Sequence, residues 1–330
     1  MQNYQLDVVV TRGNLVESRH RVHAAVWDAT SGLVSSTRDP FLVSPWRSCA
    51  KPFQVMPFIE TGGFDELVWG DDELALACAS HGGEPEHVAI AARMLESINM
   101  EEGDLVCGPH EPLSRRGARI VRDAGHAPTR LHNNCSGKHA AMLARAHVSG
   151  WSAHGYELEG HAVQFSALES VARWTGVPAD AIDKGVDGCG VVVFGLPLAN
   201  MARAYAMLAA SATRGDEIPS RIARAVRTRP VVFGGTDRFD TVLVEETSGR
   251  VLAKIGAEGV HSAALLEQGV GVVVKVEDGA ARAQFPALLR LLQLQGALPD
   301  PLPARLQEFA RTKVKNTRGE VVGEVRVLEG

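Results

Sequence analysis

Short runs of alternating or β-branched apolar residues open the chain. Asp7 to Thr11 and Val22 to Trp27 read as strands, and an Asp-Ala-Thr-Ser-Gly turn separates the second from a third at Leu33 to Ser36. The pattern returns far downstream: Thr241 to Glu245 and Arg250 to Ile255 flank a Glu-Thr-Ser-Gly turn, Val270 to Val276 is a third run, and Thr317 to Val327 suggests a last strand or hairpin. Between the two groups the period changes. His87 to Glu96, Lys138 to Ala146, His161 to Trp174 and Leu198 to Ala212 carry apolar residues at helical spacing, and Ala283 to Gln295 forms a late leucine-rich helix. Strands at both ends around a helical centre predict an α+β fold, a single domain over residues 1–330 with a helical region of about 85–230 inserted between strand-forming ends.

Composition narrows this picture. With 330 residues, 45% hydrophobic and 22% charged, the chain can bury a large core without staples. Its 34 Lys+Arg against 39 Asp+Glu give a net charge of -5, which argues against a phosphate backbone as partner. The apolar stretch Cys189 to Ala199 is interrupted by Gly190, Gly195 and Pro197 and is far below the roughly 20 residues that span a bilayer, so no membrane helix is expected. The opening residues do not read as a secretory signal. Together with five scattered cysteines, an odd number, this makes the cytoplasm the expected compartment.

Several clusters could carry chemistry. Ser48-Cys-Ala-Lys51 sets a hydroxyl and an amine on one face if a helix begins here, the S-x-x-K spacing of serine acyl-transfer enzymes. A serine hydroxyl is a weak nucleophile until a neutral, desolvated amine can take its proton. Pro52 lacks an N–H and fits a first helical turn. Ser80-His81-Gly82-Gly83 reads locally first as an N-cap and turn, and is also a candidate site edge, with His81 a candidate proton donor. Asn133-Asn134-Cys135-Ser136-Gly137-Lys138-His139 packs amides, a thiol, a hydroxyl, an amine and an imidazole ahead of a helix; a helix-capping loop accounts for the same letters. Asp187-Gly188-Cys189-Gly190 forms a second glycine-rich turn. Cys135 and Cys189 could share a metal, but they lack zinc-motif spacing and two thiols do not complete a site. Lys254-Ile-Gly256 ends a strand, where a lysine can bind a carboxylate, repel a second amine's proton, or simply face solvent.

Taken in order, Ser48-x-x-Lys51, Cys78-Ala79-Ser80-His81, Cys135-Ser136-Gly137-Lys138-His139, Asp187-Gly188-Cys189 and Lys254-x-Gly256, together with the opening Val16 to His23, resemble the bacterial L-asparaginases of the inducible, thermolabile rhizobial type. The resemblance spans most of the chain. It implies hydrolysis of the side-chain amide of L-asparagine on a serine β-lactamase or D,D-peptidase-like fold, an antiparallel sheet with a largely helical lobe, as a homodimer. It implies Ser48 as nucleophile, Lys51 as its base, and Ser80 with Lys254 as the adjoining proton-transfer group. A zinc ion held by Cys135, Lys138 and Cys189 is implied beside the substrate, where lysine can serve as ligand only as the neutral amine. Asp187 is then a candidate for the substrate's α-amino group, with Arg47, His81 and Asn133 as further substrate contacts. The chain departs from the β-lactamase pattern in having Lys-Ile-Gly for Lys-Thr-Gly and no clear Ser-Asp-Asn box. Nor does it carry the early Thr-Gly-Gly-Thr word of the threonine asparaginases. A related serine amidase or penicillin-interacting hydrolase, and a non-catalytic metal-containing amino-acid-binding protein, are the alternatives.

Overall fold

The computed structural model describes residues 2–328. Among these residues the chain forms two compact units. One gathers the stretch up to Cys49, Leu196–Arg214 and the stretch from Val242; the other takes Ala50–Gly195 and Gly215–Thr241.

The first unit holds two sheets. A six-stranded sheet runs in the order Gln2–Asn3, Gly32–Thr37, Val22–Asp28, Val270–Val276, Val260–Leu265, Val251–Ile255. Strands from both ends of the sequence thus share one sheet. Every pairing is antiparallel except the parallel contact of Gln2–Asn3 with Gly32–Thr37. The other is an antiparallel sheet of Thr312–Lys315, Val321–Val327, Val8–Arg12 and Leu15–His20. The Leu198–Arg214 helix packs on the Val22–Asp28, Val260–Leu265 and Val270–Val276 strands, burying Ala199, Ala202, Ala206 and Ala209. Small residues let the backbones close in. At Gly271 an added Cβ would stand 2.0 Å from the Ala202 carbonyl, so only glycine fits. The Ala281–Leu294 helix packs against both sheets through Leu288, Leu289, Leu291 and Leu292.

The second unit is mainly helical. Ser136–Val148 packs against Lys51–Glu60, Asp71–Cys78 and Pro85–Glu96, and Ala162–Thr175 packs on Lys51–Glu60. Gly137 sets that arrangement: a Cβ there would meet Leu76 Cγ and its carbonyl oxygen at 2.5 Å. The arginine-rich Glu217–Thr228 helix presents a polar face, where Arg221 and Arg224 bind Asp65 and Asp71; just beyond it Arg229 binds Asp72. An antiparallel strand pair, Asp183–Val186 with Val192–Pro197, projects the Asp187–Gly190 turn.

Two readings of the sequence are corrected. Thr241 to Glu245 is not a strand but part of the Phe239–Glu246 helix: Phe239, Val242 and Leu243 are buried at i, i+3 and i+4, a spacing that outweighs the β-branched letters. More than one sheet forms, because the strands of Val8–Arg12 and Val321–Val327 pair with each other rather than extending the larger sheet.

Candidate active site

In the first unit, the segment before the helical region is pinned to the far strand pair. Ser48 lies half-buried in the 3-10 turn Arg47–Ala50, and Arg47 holds a left-handed backbone, φ +53°. A non-glycine residue keeps that conformation only where its surroundings enforce it, at a cost of about 1–3 kcal/mol. They do so here. The Cys49 thiol donates to the Lys254 carbonyl at 2.9 Å, the Tyr205 hydroxyl donates to the Cys49 carbonyl at 2.8 Å, and Trp46 Nε1 donates to Ser262 Oγ at 3.1 Å. Cys49, inside the S-x-x-K word itself, therefore ties the serine's turn to the strand that carries Lys254. Gly256 is needed for that fit, since a Cβ would lie 2.5 Å from Val260 Cγ1 and 3.1 Å from Cys49 Sγ. Lys254 is buried at 1% exposure, not an exposed strand end, and its amine donates to the Ile255 carbonyl at 2.9 Å.

In the second unit Lys51 is the first residue of its helix, with Pro52 behind it in the first turn. It is 1% exposed. Its amine contacts the Ala79 carbonyl, Ser80 Oγ at 3.2 Å and the Asn134 carbonyl at 3.3 Å. An uncharged amine has two hydrogens and one lone pair. Here the amine donates to all three, and only after losing a proton would it turn that lone pair toward the Ser80 hydroxyl. Ser80 follows the Asp71–Cys78 helix in an extended stretch that ends at Pro85, and Asn134 is oriented by His110, whose Nε2 accepts the Asn134 N–H at 2.9 Å.

His81 is fully buried and its tautomer is determined by its neighbours. Nδ1 accepts the Gly83 N–H at 3.1 Å, so Nε2 carries the proton and donates to Ser136 Oγ at 2.9 Å, which in turn donates to the Leu131 carbonyl. Burial, then the nearby His87 and Lys51, holds its pKa well below the ordinary histidine value. The ring holds the start of the Ser136–Val148 helix. Asn133 is likewise spent inside the fold: its Nδ2 donates to the Gly108 carbonyl at 2.6 Å and its Oδ1 accepts the Cys135 N–H at 2.9 Å. Glu84, 0% exposed, closes the Ser80–Glu84 stretch by accepting from Arg116, from the Thr236 hydroxyl and from the Thr236 N–H.

Cys135, Lys138 and Cys189 converge. The Lys138 amine lies 3.0 Å from Cys189 Sγ, and Asp187 Oδ2 lies 3.7 Å from the same sulfur. The hydrogen bond from Cys135, then Lys138, pulls the Cys189 thiol down to about 5, while the same bond together with burial pushes Cys135 up to about 12. For Lys138, burial favours the neutral amine, but Cys189, Cys135 and Asp187 outweigh it and strengthen its hold on the proton. The group is thus a thiolate accepting from a thiol and an ammonium. An ammonium has no lone pair, so the two sulfurs and the nitrogen become a donor set suited to a soft divalent ion such as zinc only when Lys138 gives up its proton to the metal's charge. Among the described residues no three His, Cys, Asp or Glu side chains gather to hold a metal, so the amine would be the third donor. Behind the group, Tyr156 accepts the Val106 N–H at 3.0 Å and meets His139 Nδ1 at 2.7 Å, while the buried His139 Nε2 has no hydrogen-bond partner among the described residues.

The sequence words are therefore divided between the units: Arg47, Ser48 and Lys254 in the first, and Lys51, Ser80, His81, Asn133, Cys135, Lys138, Asp187 and Cys189 in the second. His110, Glu84, Tyr156 and Arg238 escaped sequence reasoning. Of these only Arg238, after the Gly234-Gly235 pair, carried a signal that could have been noticed.

A mixed helix-and-strand chain with a buried amine set against a serine hydroxyl is compatible with an amide hydrolase, and the comparison with known families shows that class. The model of the L-asparaginase II family matches residues 8–327, nearly the whole chain. The chain belongs to that family and is an L-asparaginase, which hydrolyses the amide of asparagine, a small-molecule substrate. No curated protein matches the chain.

Proposed function

We propose that the hydrolysis runs through Ser48 and Lys51. The observation that carries this reading is the burial of Lys51, three residues after Ser48, with its amine 3.2 Å from the Ser80 hydroxyl. An uncharged Lys51, three residues from Ser48, accepts the Ser48 proton as its oxygen attacks the side-chain carbonyl carbon of L-asparagine. The C–N bond then breaks, with the proton passing to the departing nitrogen, so ammonia leaves and a β-aspartyl ester on Ser48 remains. Water attacks that ester, its proton returns to the serine oxygen, and aspartate is released. Ser80 relays protons at Lys51, and Lys254, tied to the serine's turn through Cys49, supplies positive charge for the oxyanion.

Asp187 is assigned to the substrate's α-ammonium and Arg47 to a further polar contact; His81 and Asn133, whose polar atoms are spent internally, position the Ser136 helix and the Cys135 loop. Cys135, Lys138 and Cys189 would hold zinc, which would supply a fixed positive charge that braces the Asp187 turn. The antiparallel sheet with the Leu198–Arg214 helix packed on it, and the helical second unit, support a serine β-lactamase-like fold with residues 1–330 as one catalytic domain. Five buried and scattered cysteines, an odd number, support a cytoplasmic setting. The exposed Leu15 and Val16 of an edge strand support a homodimer.

The test is ammonia release from L-asparagine by the purified, zinc-replete protein. Ser48→Ala should lower kcat by at least about 10³-fold with the fold intact. A variant that keeps its rate, or a β-aspartyl adduct trapped on another residue, defeats the Ser48 assignment.

A further inference from the structure

Arg238 is a cation with no partner in a place that is costly for one. It sits on the loop after Gly234 and Gly235, within the second unit. Gly235 holds φ +120°, and an added Cβ would lie 2.9 Å from Arg238 Cδ, 3.2 Å from Gly82 Cα and 3.2 Å from Glu84 Oε1. The arginine stem therefore runs over a bare backbone beside the Ser80–Glu84 stretch. The side chain is recessed, and among the described residues its guanidinium makes no hydrogen bond and no ion pair. Its charge bears on the buried rings of His81 and His87, both held neutral. Burial weakens its hold on the proton, and Asp240 and Glu84 oppose this only at a distance.

Glu84, beside its stem, cannot neutralise it. Glu84 accepts from Arg116 at 2.6 Å, from the Thr236 hydroxyl at 2.7 Å and from the Thr236 N–H at 2.8 Å, so its lone pairs are committed. A recessed guanidinium pays for lost hydration and leaves its donor fork open. That fork matches the two oxygens of a carboxylate, the group that every free α-amino acid carries.

We infer that Arg238 binds the α-carboxylate of the substrate, opposite the α-ammonium partner already assigned, and so restricts the enzyme to free amino-acid amides. The inference rests on the reading that the Ser80–Glu84 stretch lines the substrate site. An asparagine whose carboxylate is esterified, amidated or locked in a peptide would meet the fork without a matching anion.

The experiment compares L-asparagine with 3-aminopropanamide, which lacks only the carboxylate, in the full-length wild type, Arg238→Gln and Arg238→Lys. Arg238→Gln should raise KM for L-asparagine roughly ten- to hundredfold, with kcat altered less than about threefold, since a hydrogen bond to a charged group contributes about 1.5–3 kcal/mol. It should leave kcat/KM for 3-aminopropanamide unchanged, and Arg238→Lys should fall between. Equal losses on both substrates, or an unaltered KM for L-asparagine, overturn the inference. Calorimetric titration separates this from the catalytic reading: Arg238→Gln should weaken L-aspartate binding and leave binding of β-alanine unchanged. A wild type that binds L-aspartate through Arg238 but releases no ammonia counts against the hydrolytic mechanism alone. Equal L-aspartate affinity in wild type and variant counts against Arg238.

Discussion

Replacing Glu84 with glutamine tests the anchor of the Ser80–Glu84 stretch. Burial alone would raise the Glu84 pKa, but bonds from Thr236, Ser114 and Arg116 more than reverse that and bring it from 4.5 to about 2. The side chain is 0% exposed, so solvent screens these bonds little. At about 1.36 kcal/mol per pH unit, the gap contributes about 3 kcal/mol to stability at pH 7. The folded value lies below the unfolded one. The contribution is therefore full above about pH 5 and is lost as pH falls through 4.5 toward 2, with about 2 kcal/mol gone by pH 3. Glu84→Gln removes it at every pH and turns an amide donor toward the donors of Arg116 or Thr236. Urea unfolding of both proteins at pH 7 should show the variant about 3 kcal/mol weaker, and at pH 3 the difference should shrink to about 1 kcal/mol. A difference under 1 kcal/mol at pH 7, or one that does not change with pH, would refute the reasoning.

Four further substitutions follow from the packing. Gly137→Ala would drive a methyl group into Leu76, so it should cost more than about 2 kcal/mol and lower ammonia release by shifting Ser136 and Lys138. Gly160→Ala, with open space around it, is the neutral control in the same thermal melts. Tyr156→Phe strips a partner from the Val106 N–H and from His139 Nδ1, and denaturant titration should record a loss of about 2–4 kcal/mol. Cys189→Ser exchanges a soft donor for a hard one beside Lys138; zinc content by atomic emission should fall at least about tenfold, and an unchanged metal load would remove Cys189 from the ligand set.

Local features were legible in the letters, and contacts through backbone were not. Val270 to Val276 showed its strand character because β-branched residues dominate the run, and Val22 to Trp27, its neighbour in the sheet, through Val22, Val26 and Trp27. Val260–Leu265 gave no such signal: all six positions are buried, so no alternation marks it. In the candidate site, the Ser48–Lys51 spacing is visible because it is short. The Ala79 and Asn134 carbonyls that hold the Lys51 amine are main-chain atoms, which no residue type announces. Nothing in the letter of Cys49 reveals that its thiol reaches the Lys254 carbonyl.

The pairing of Val321–Val327 with Val8–Arg12 has a consequence during synthesis. The second unit is complete once Thr241 has emerged from the ribosome, whereas the strand that closes the smaller sheet begins 80 residues later at Val321. At about 5–20 residues per second this is a delay of roughly 4–16 s, during which the helical unit can fold while the Val8–Arg12 strand still lacks its partner. A nascent chain stalled after residue 290, with Thr241 clear of the exit tunnel, should therefore protect the helices around Ser136–Val148 from protease and leave the first 49 residues open to cleavage.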